Sequence, residues 1–183
     1  ESAQPVTHVI IYTHPEGKEH DTNRIQDYLK KGIYVCAVDL RGTGETAPIH
    51  SKNDMSKIVG QGWEDSFGAY LIGKSYVGMR VSDYFATIKY LKKKYGNEVQ
   101  IGIDTTGILC VPAAHAAFLL LPQNIELNLT ELITWSEMIE NPRIQGQITN
   151  IVHGVLQEYD IPQLLSELPE GKLTVQKTVP PTF

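Results

Sequence analysis

The sequence predicts an α/β fold: a parallel sheet of about five strands in a three-layer α/β sandwich. Two observations carry the prediction. Short β-branched apolar runs alternate about five times with segments of helical period, which implies right-handed crossovers between parallel strands. Two of these runs, Val6–Thr13 and Ile33–Leu40, are almost continuously apolar, as strands covered on both faces are. At 183 residues the chain suits a single domain, residues 1–183, with a sizeable core.

The elements follow in order. Val6–Thr13 is β-branched and aromatic and is closed by turn formers at His14-Pro15-Glu16-Gly17-Lys18. Thr22 is placed to cap a helix through Ile25, Tyr28 and Leu29 that stops at Lys30-Lys31-Gly32. Ile33–Leu40 is the second strand. From Arg41 to about Val81 the pattern is irregular and rich in glycine, as functional insertions and Ω-loops are. Ser82 and Asp83 open a helix that ends at Lys92-Lys93-Lys94 and Gly96. A strand at Val99–Ile103 runs into a tight corner, Asp104-Thr105-Thr106-Gly107, and then a helix rich in Ala and Leu that reaches Leu121. Pro112 must either start that helix afresh or kink it. Ile125–Leu129 reads as a fourth strand, Trp135–Ile161 as mixed, Ile161–Leu168 as a short helix and Lys172–Lys177 as a last strand at an edge.

Composition narrows the function classes. A net charge of −5 provides no field to hold a phosphate backbone, so nucleic acid is not an expected partner. The longest apolar runs are too short to span a bilayer. Cys36 and Cys110 lie in apolar segments without a CxxC partner, so they read as buried thiols, and no metal is expected. No cofactor is expected either. Gly102–Gly107 has the context of a dinucleotide loop, but Asp104 stands where a glycine belongs and would repel a pyrophosphate. Asn128-Leu129-Thr130 is a glycosylation sequon, and Trp63, Tyr70 and Tyr76 could line a sugar platform.

Asp39-Leu40-Arg41-Gly42-Thr43-Gly44-Glu45-Thr46 resembles the loop after the second core strand of α/β-hydrolases of the acetyl xylan esterase and prolyl-oligopeptidase kind. Gly78-Met79-Arg80-Val81-Ser82-Asp83, the corner around Asp104, and Val155–Pro162 follow in the family's order. The resemblance implies the central strands of a hydrolase sheet, in the spatial order second, first, third, fourth, fifth. It also implies a secreted or periplasmic domain, of the kind that stands last in a longer protein. An active member would take acylated carbohydrate.

Laid on the family's G-x-S-x-G motif, the corner puts Gly102 first, Asp104 at the nucleophile and Thr106 at the second glycine. His14 falls at the oxyanion-loop position, with Gly17 and Thr105 as further oxyanion or loop residues. A carboxylate nucleophile would need a histidine and a second acid. His153, Glu131 and, third, His14 are the substitutes the chain offers. Thr105 is the alternative nucleophile. Otherwise Asp104 caps the following helix. Asp39 and Arg41 are expected to pin the long loop through a salt bridge. Without a complete triad, the expected role is a structural or docking domain. A neighbouring domain or a second copy would then cover a sheet edge, at the Val6–Thr13 side or at Lys172–Lys177.

Overall fold

The computed structural model describes residues 5–48, 60, 62–123, 125–141 and 146–176. Its centre is a five-stranded, wholly parallel sheet in the order β2-β1-β3-β4-β5. The strands are β1 (His8–Thr13), β2 (Tyr34–Ala37), β3 (Gln100–Thr106), β4 (Glu126–Thr130) and β5 (Leu173–Gln176). The helices are α1 (Thr22–Lys30), α2 (Trp63–Leu71), α3 (Tyr76–Tyr95), α4 (Cys110–Leu119), α5 (Trp135–Glu140) and α6 (Ile161–Ser166). The expected order of strands is the observed one. The edges, however, are β2 and β5. β1 lies between β2 and β3, so the Val6–Thr13 segment is interior and presents no edge to a partner. Lys177, at the end of the anticipated last strand, lies outside the described residues.

Alternation along the strands divides the sheet into two unlike faces. Val9, Ile11, Ile101, Ile103, Leu127 and Leu129 join the main apolar core with α3, α4 and α6. The alanines of α4 are buried to 1% or less, and such small side chains let neighbouring helices approach closely. Pro112 falls in the first turn of α4, where its missing N–H breaks no helical bond. The opposite face carries α1, set over its Ile10, Tyr12 and Asp104 positions. Gly102 belongs to this face because a Cβ there would lie 2.5 Å from Ile10 Cδ1.

Three boundaries differ from expectation. Asp21, one residue before Thr22, caps α1 through a 3.0 Å bond from the Arg24 N–H. The irregular stretch contains α2, and α3 starts at Tyr76 under a Ser75 cap, well before Ser82. Trp135–Glu140 forms a helix inside the mixed segment, with Thr134 and Glu137 as a capping box. Asp160 joins this helix to the next: it accepts from the Trp135 and Ser136 N–H groups and caps α6 at Ile161. Burial would raise the Asp160 carboxyl, but the bonds from Ser136, Ile161 and Trp135 outweigh it and hold it below the usual range.

His115 of α4 closes the core on the α6 side. A carbonyl can only accept, so the 2.7 Å contact to Val111 O puts the ring proton on Nδ1. Nε2 then accepts from Tyr159 OH at 2.8 Å, with Trp135 edge-on to the ring. Burial lowers its pKa from the ordinary value. The unfolded state therefore binds the proton more readily, and stability should fall as pH drops below about 6.5. Thermal melts across that window should show this loss in the wild type and a flatter profile in His115→Gln.

Candidate functional site

The corner between β3 and α4 lies three residues later than the motif alignment places it. β3 continues through Asp104, Thr105 and Thr106, and the chain turns at Gly107, whose φ is +59°. A short 3₁₀ turn, Gly107–Leu109, leads into α4. At the sharp strand-to-helix turn, then, this chain has no side chain. A Cβ on Gly107 would sit 3.6 Å from Pro15 Cγ in the loop after β1, so that loop closes over the turn.

Asp104 is instead a strand residue, 0% exposed, whose side chain points toward α1. Arg24 Nε donates to Oδ2 at 2.7 Å while Nη2 bonds Oδ1, a two-pronged ion pair. Tyr28 OH donates to Oδ2 at 2.7 Å. Arg24 and Tyr28 lie four apart on α1 and so share the helix face that meets the sheet. Arg24 Nη2 also reaches Thr130 Oγ1 at 3.1 Å, and the Asn128 amide donates to Tyr28 OH at 3.4 Å. The network thus ties α1 to β3 and β4. Burial pushes the Asp104 carboxyl above the usual carboxylate range; the Arg24 guanidinium and the Tyr28 hydroxyl pull the other way. Burial and the same carboxylate raise the Tyr28 phenol. The expected helix-capping role for Asp104 is therefore replaced by an ion pair across the sheet.

The other expected site residues are dispersed. His153 is exposed beside the Tyr70 ring, 6.2 Å between centroids, near α2 on the far side of the sheet from α1. It does not meet Asp104. His14 stacks on His20 at 4.0 Å and accepts from the Glu16 N–H through Nδ1. Burial, and next the His20 ring, lower its pKa. Thr105 is 0% exposed on the core face, where Thr13 donates to its hydroxyl at 2.8 Å and Tyr84 joins the pair. No substrate could reach it there. Glu131, directly after β4, takes a positive φ of 59° and donates its N–H to Gln176 O.

Gly17 serves the loop rather than an oxyanion. Its φ is +110°, and a Cβ there would come within 3.0 Å of Gly44 Cα. Asp39 and Arg41 do pin the long loop, but through different partners from the mutual salt bridge expected. The Asp39 carboxylate accepts from the Lys18 N–H at 2.6 Å and the Glu45 N–H at 3.1 Å. Arg41 forms a two-pronged pair with Asp83 of α3. Arg80, 1% exposed, donates to Arg41 O at 3.2 Å and Thr149 Oγ1 at 3.1 Å, with its guanidinium 4.8 Å from the Tyr76 ring centre. Tyr76 is buried in that contact and Trp63 packs edge-on to Phe67, so these aromatics do not form a shared platform.

Residues 102–106 are strand, so the glycine-flanked stretch offers no phosphate loop. Among the described residues, no group of three or more His, Cys, Asp or Glu side chains is placed to hold a metal ion. No helix among them is long and apolar enough to cross a membrane. Both cysteines are free thiols, Cys110 buried and Cys36 half-buried. Asn128 of the sequon lies on β4 facing α1.

Sequence reasoning missed Arg24, Tyr28 and Gly107. An Arg and a Tyr four apart on a helix otherwise facing an apolar sheet, with an Asp inside the third strand, was the available signal. Comparisons with models of protein families, with curated proteins and with solved structures found no match.

Proposed function

We propose that this chain is a non-catalytic α/β domain of hydrolase-like shape that serves as a structural or docking module. One observation carries the reading: the carboxylate nearest the corner is engaged on both oxygens by Arg24 and Tyr28, while the turn itself is Gly107. An attacking carboxylate must reach substrate with a free lone pair and a base nearby. Asp104 is sealed beneath α1, with Arg24 and Tyr28 on its oxygens, and His14 and His153 are engaged elsewhere, with His20 and Tyr70. Among the described residues β2 and β5 are the outermost strands, and such edges are where a neighbouring domain or a second copy would dock.

The test is turnover of p-nitrophenyl acetate and of acetylated xylo-oligosaccharides. The expected result is no rate above buffer, for the wild type and Asp104→Asn alike. Turnover in the wild type that disappears in a folded Asp104→Asn variant would overturn the reading in favour of an ester hydrolase.

A further inference from the structure

Between α1 and the β4–β5 part of the sheet lies a cavity of about 400 Å³, within the range of small-molecule sites. Its walls are Arg24 and Tyr28 from α1, Asn128 and Thr130 from β4, and Thr174 and Gln176 from β5. The register pairs Asn128 with Thr174 and Thr130 with Gln176. Their side chains therefore form a two-by-two array on one face, with spacings of about 4.8 Å between strands and about 6.6 Å along them.

The chemistry of this array is unusual for its position. In a parallel sheet covered by helices, both faces are normally apolar. Here β4 turns Leu127 and Leu129 to the core and Asn128 and Thr130 to the cavity. An apolar helix or ligand laid on this face would strip water from four polar side chains without replacing their hydrogen bonds. Charge gives little hold on an ionic occupant. Arg24 is balanced by Asp104 beneath it, and Asp27 pairs with Lys30 at 3.0 Å, which leaves the Lys31 ammonium as a single cation among the lining residues.

Donors and acceptors are nevertheless abundant and held in place. The ion pair with Asp104 uses Arg24 Nε and Nη2, fixing the guanidinium so that Nη1 is set by its partner's geometry. Thr130 accepts from Arg24 and so has its own hydroxyl hydrogen to give. Asn128 donates to Tyr28 and keeps its carbonyl oxygen as an acceptor. The exposed side chains of Thr174 and Gln176 add a hydroxyl and an amide, each able to donate and to accept.

We propose that this cavity binds a neutral polyhydroxylated molecule, a mono- or disaccharide or a cyclic polyol, through the Asn128, Thr130, Thr174 and Gln176 array beside Arg24. Adjacent hydroxyls on such a ring each give one hydrogen and accept another, which is what a mixed, uncharged, preorganised array satisfies. The site is separate from the β3–α4 corner, so ester turnover and ligand binding succeed or fail independently.

The experiment is a titration of the isotope-labelled 183-residue chain, followed by amide and side-chain correlation NMR, with xylobiose, cellobiose, maltose and myo-inositol. Sodium phosphate and sodium acetate serve as charged controls. At least one neutral probe should give saturable shifts centred on Asn128, Thr130, Thr174 and Gln176. Thr174→Val and Gln176→Leu, at exposed positions outside the ion pair, should each weaken that probe at least tenfold. The proposal is overturned if no neutral probe shifts these residues, if phosphate or acetate shifts them at equal or lower concentration, or if both variants bind as the wild type does. The wild-type shift map decides the matter even where a variant does not fold.

Discussion

Arg24→Met is expected to destabilise the fold by about 3–4 kcal/mol near neutral pH, because it leaves a carboxylate buried without its cation. The two halves of the pair are not equivalent. Asp104 is 0% exposed, while the Arg24 side chain keeps 26% of its surface in solvent. Removing the acid lets the guanidinium turn to water, so Asp104→Asn should cost less than Arg24→Met. The pH dependence provides a second signature. Burial already raises the Asp104 carboxyl, and Arg24 is among the groups pulling it down. Without Arg24 the folded value moves further above the unfolded value of about 3.9. The folded state then binds the extra proton, so the variant is most stable at acid pH and loses stability as pH rises through that window. Urea unfolding at pH about 5 and about 7 should show the variant closer to wild type at the lower value.

Gly44→Ala is the second large effect. Gly44 sits at φ +48°, and a Cβ there would lie 2.4 Å from both Cγ and Oδ1 of Asp39. A left-handed non-glycine residue costs about 1–2 kcal/mol by itself. The displaced carboxylate would also lose its bonds from the Lys18 and Glu45 N–H groups, each charge-assisted and worth about 1.5–3 kcal/mol. The Lys18 bond joins the loop after β1 to the loop after β2, and the Glu45 bond closes the latter on itself, so both loosen together. A net loss of about 3–4 kcal/mol by chemical denaturation is expected. Hydrogen exchange should place the loosening at Lys18 and Glu45 and leave β3 and β4 protected.

The periodicity that announces this fold is strong where strands are buried on both sides. β1 and β3 were legible for that reason. Ile33–Leu40, as apolar as β1, holds a half-buried edge strand, and the strand order came from the family resemblance alone. The long glycine-rich stretch was harder to read. α2 there is held by contacts with residues 147–150, a tertiary feature that local pattern does not record. The corner was misplaced for a related reason. Asp104 has the look of a turn or cap residue, and polar side chains inside a central strand are rare unless paired. Its pairing partners are 80 and 76 residues away on α1, a separation that no motif spacing reveals. Asp39 and Arg41 read as loop anchors in the sequence, but their partners, backbone N–H groups and Asp83, are set by the fold.

The central claim is that the Asp104–Arg24 ion pair holds α1 to the sheet. A double-mutant cycle with Arg24→Met, Asp104→Leu and the combined variant, read by urea unfolding, tests it directly. The account predicts a coupling of at least about 2 kcal/mol, with the double variant more stable than the two single losses imply. Losses that add to within about 0.5 kcal/mol would contradict it.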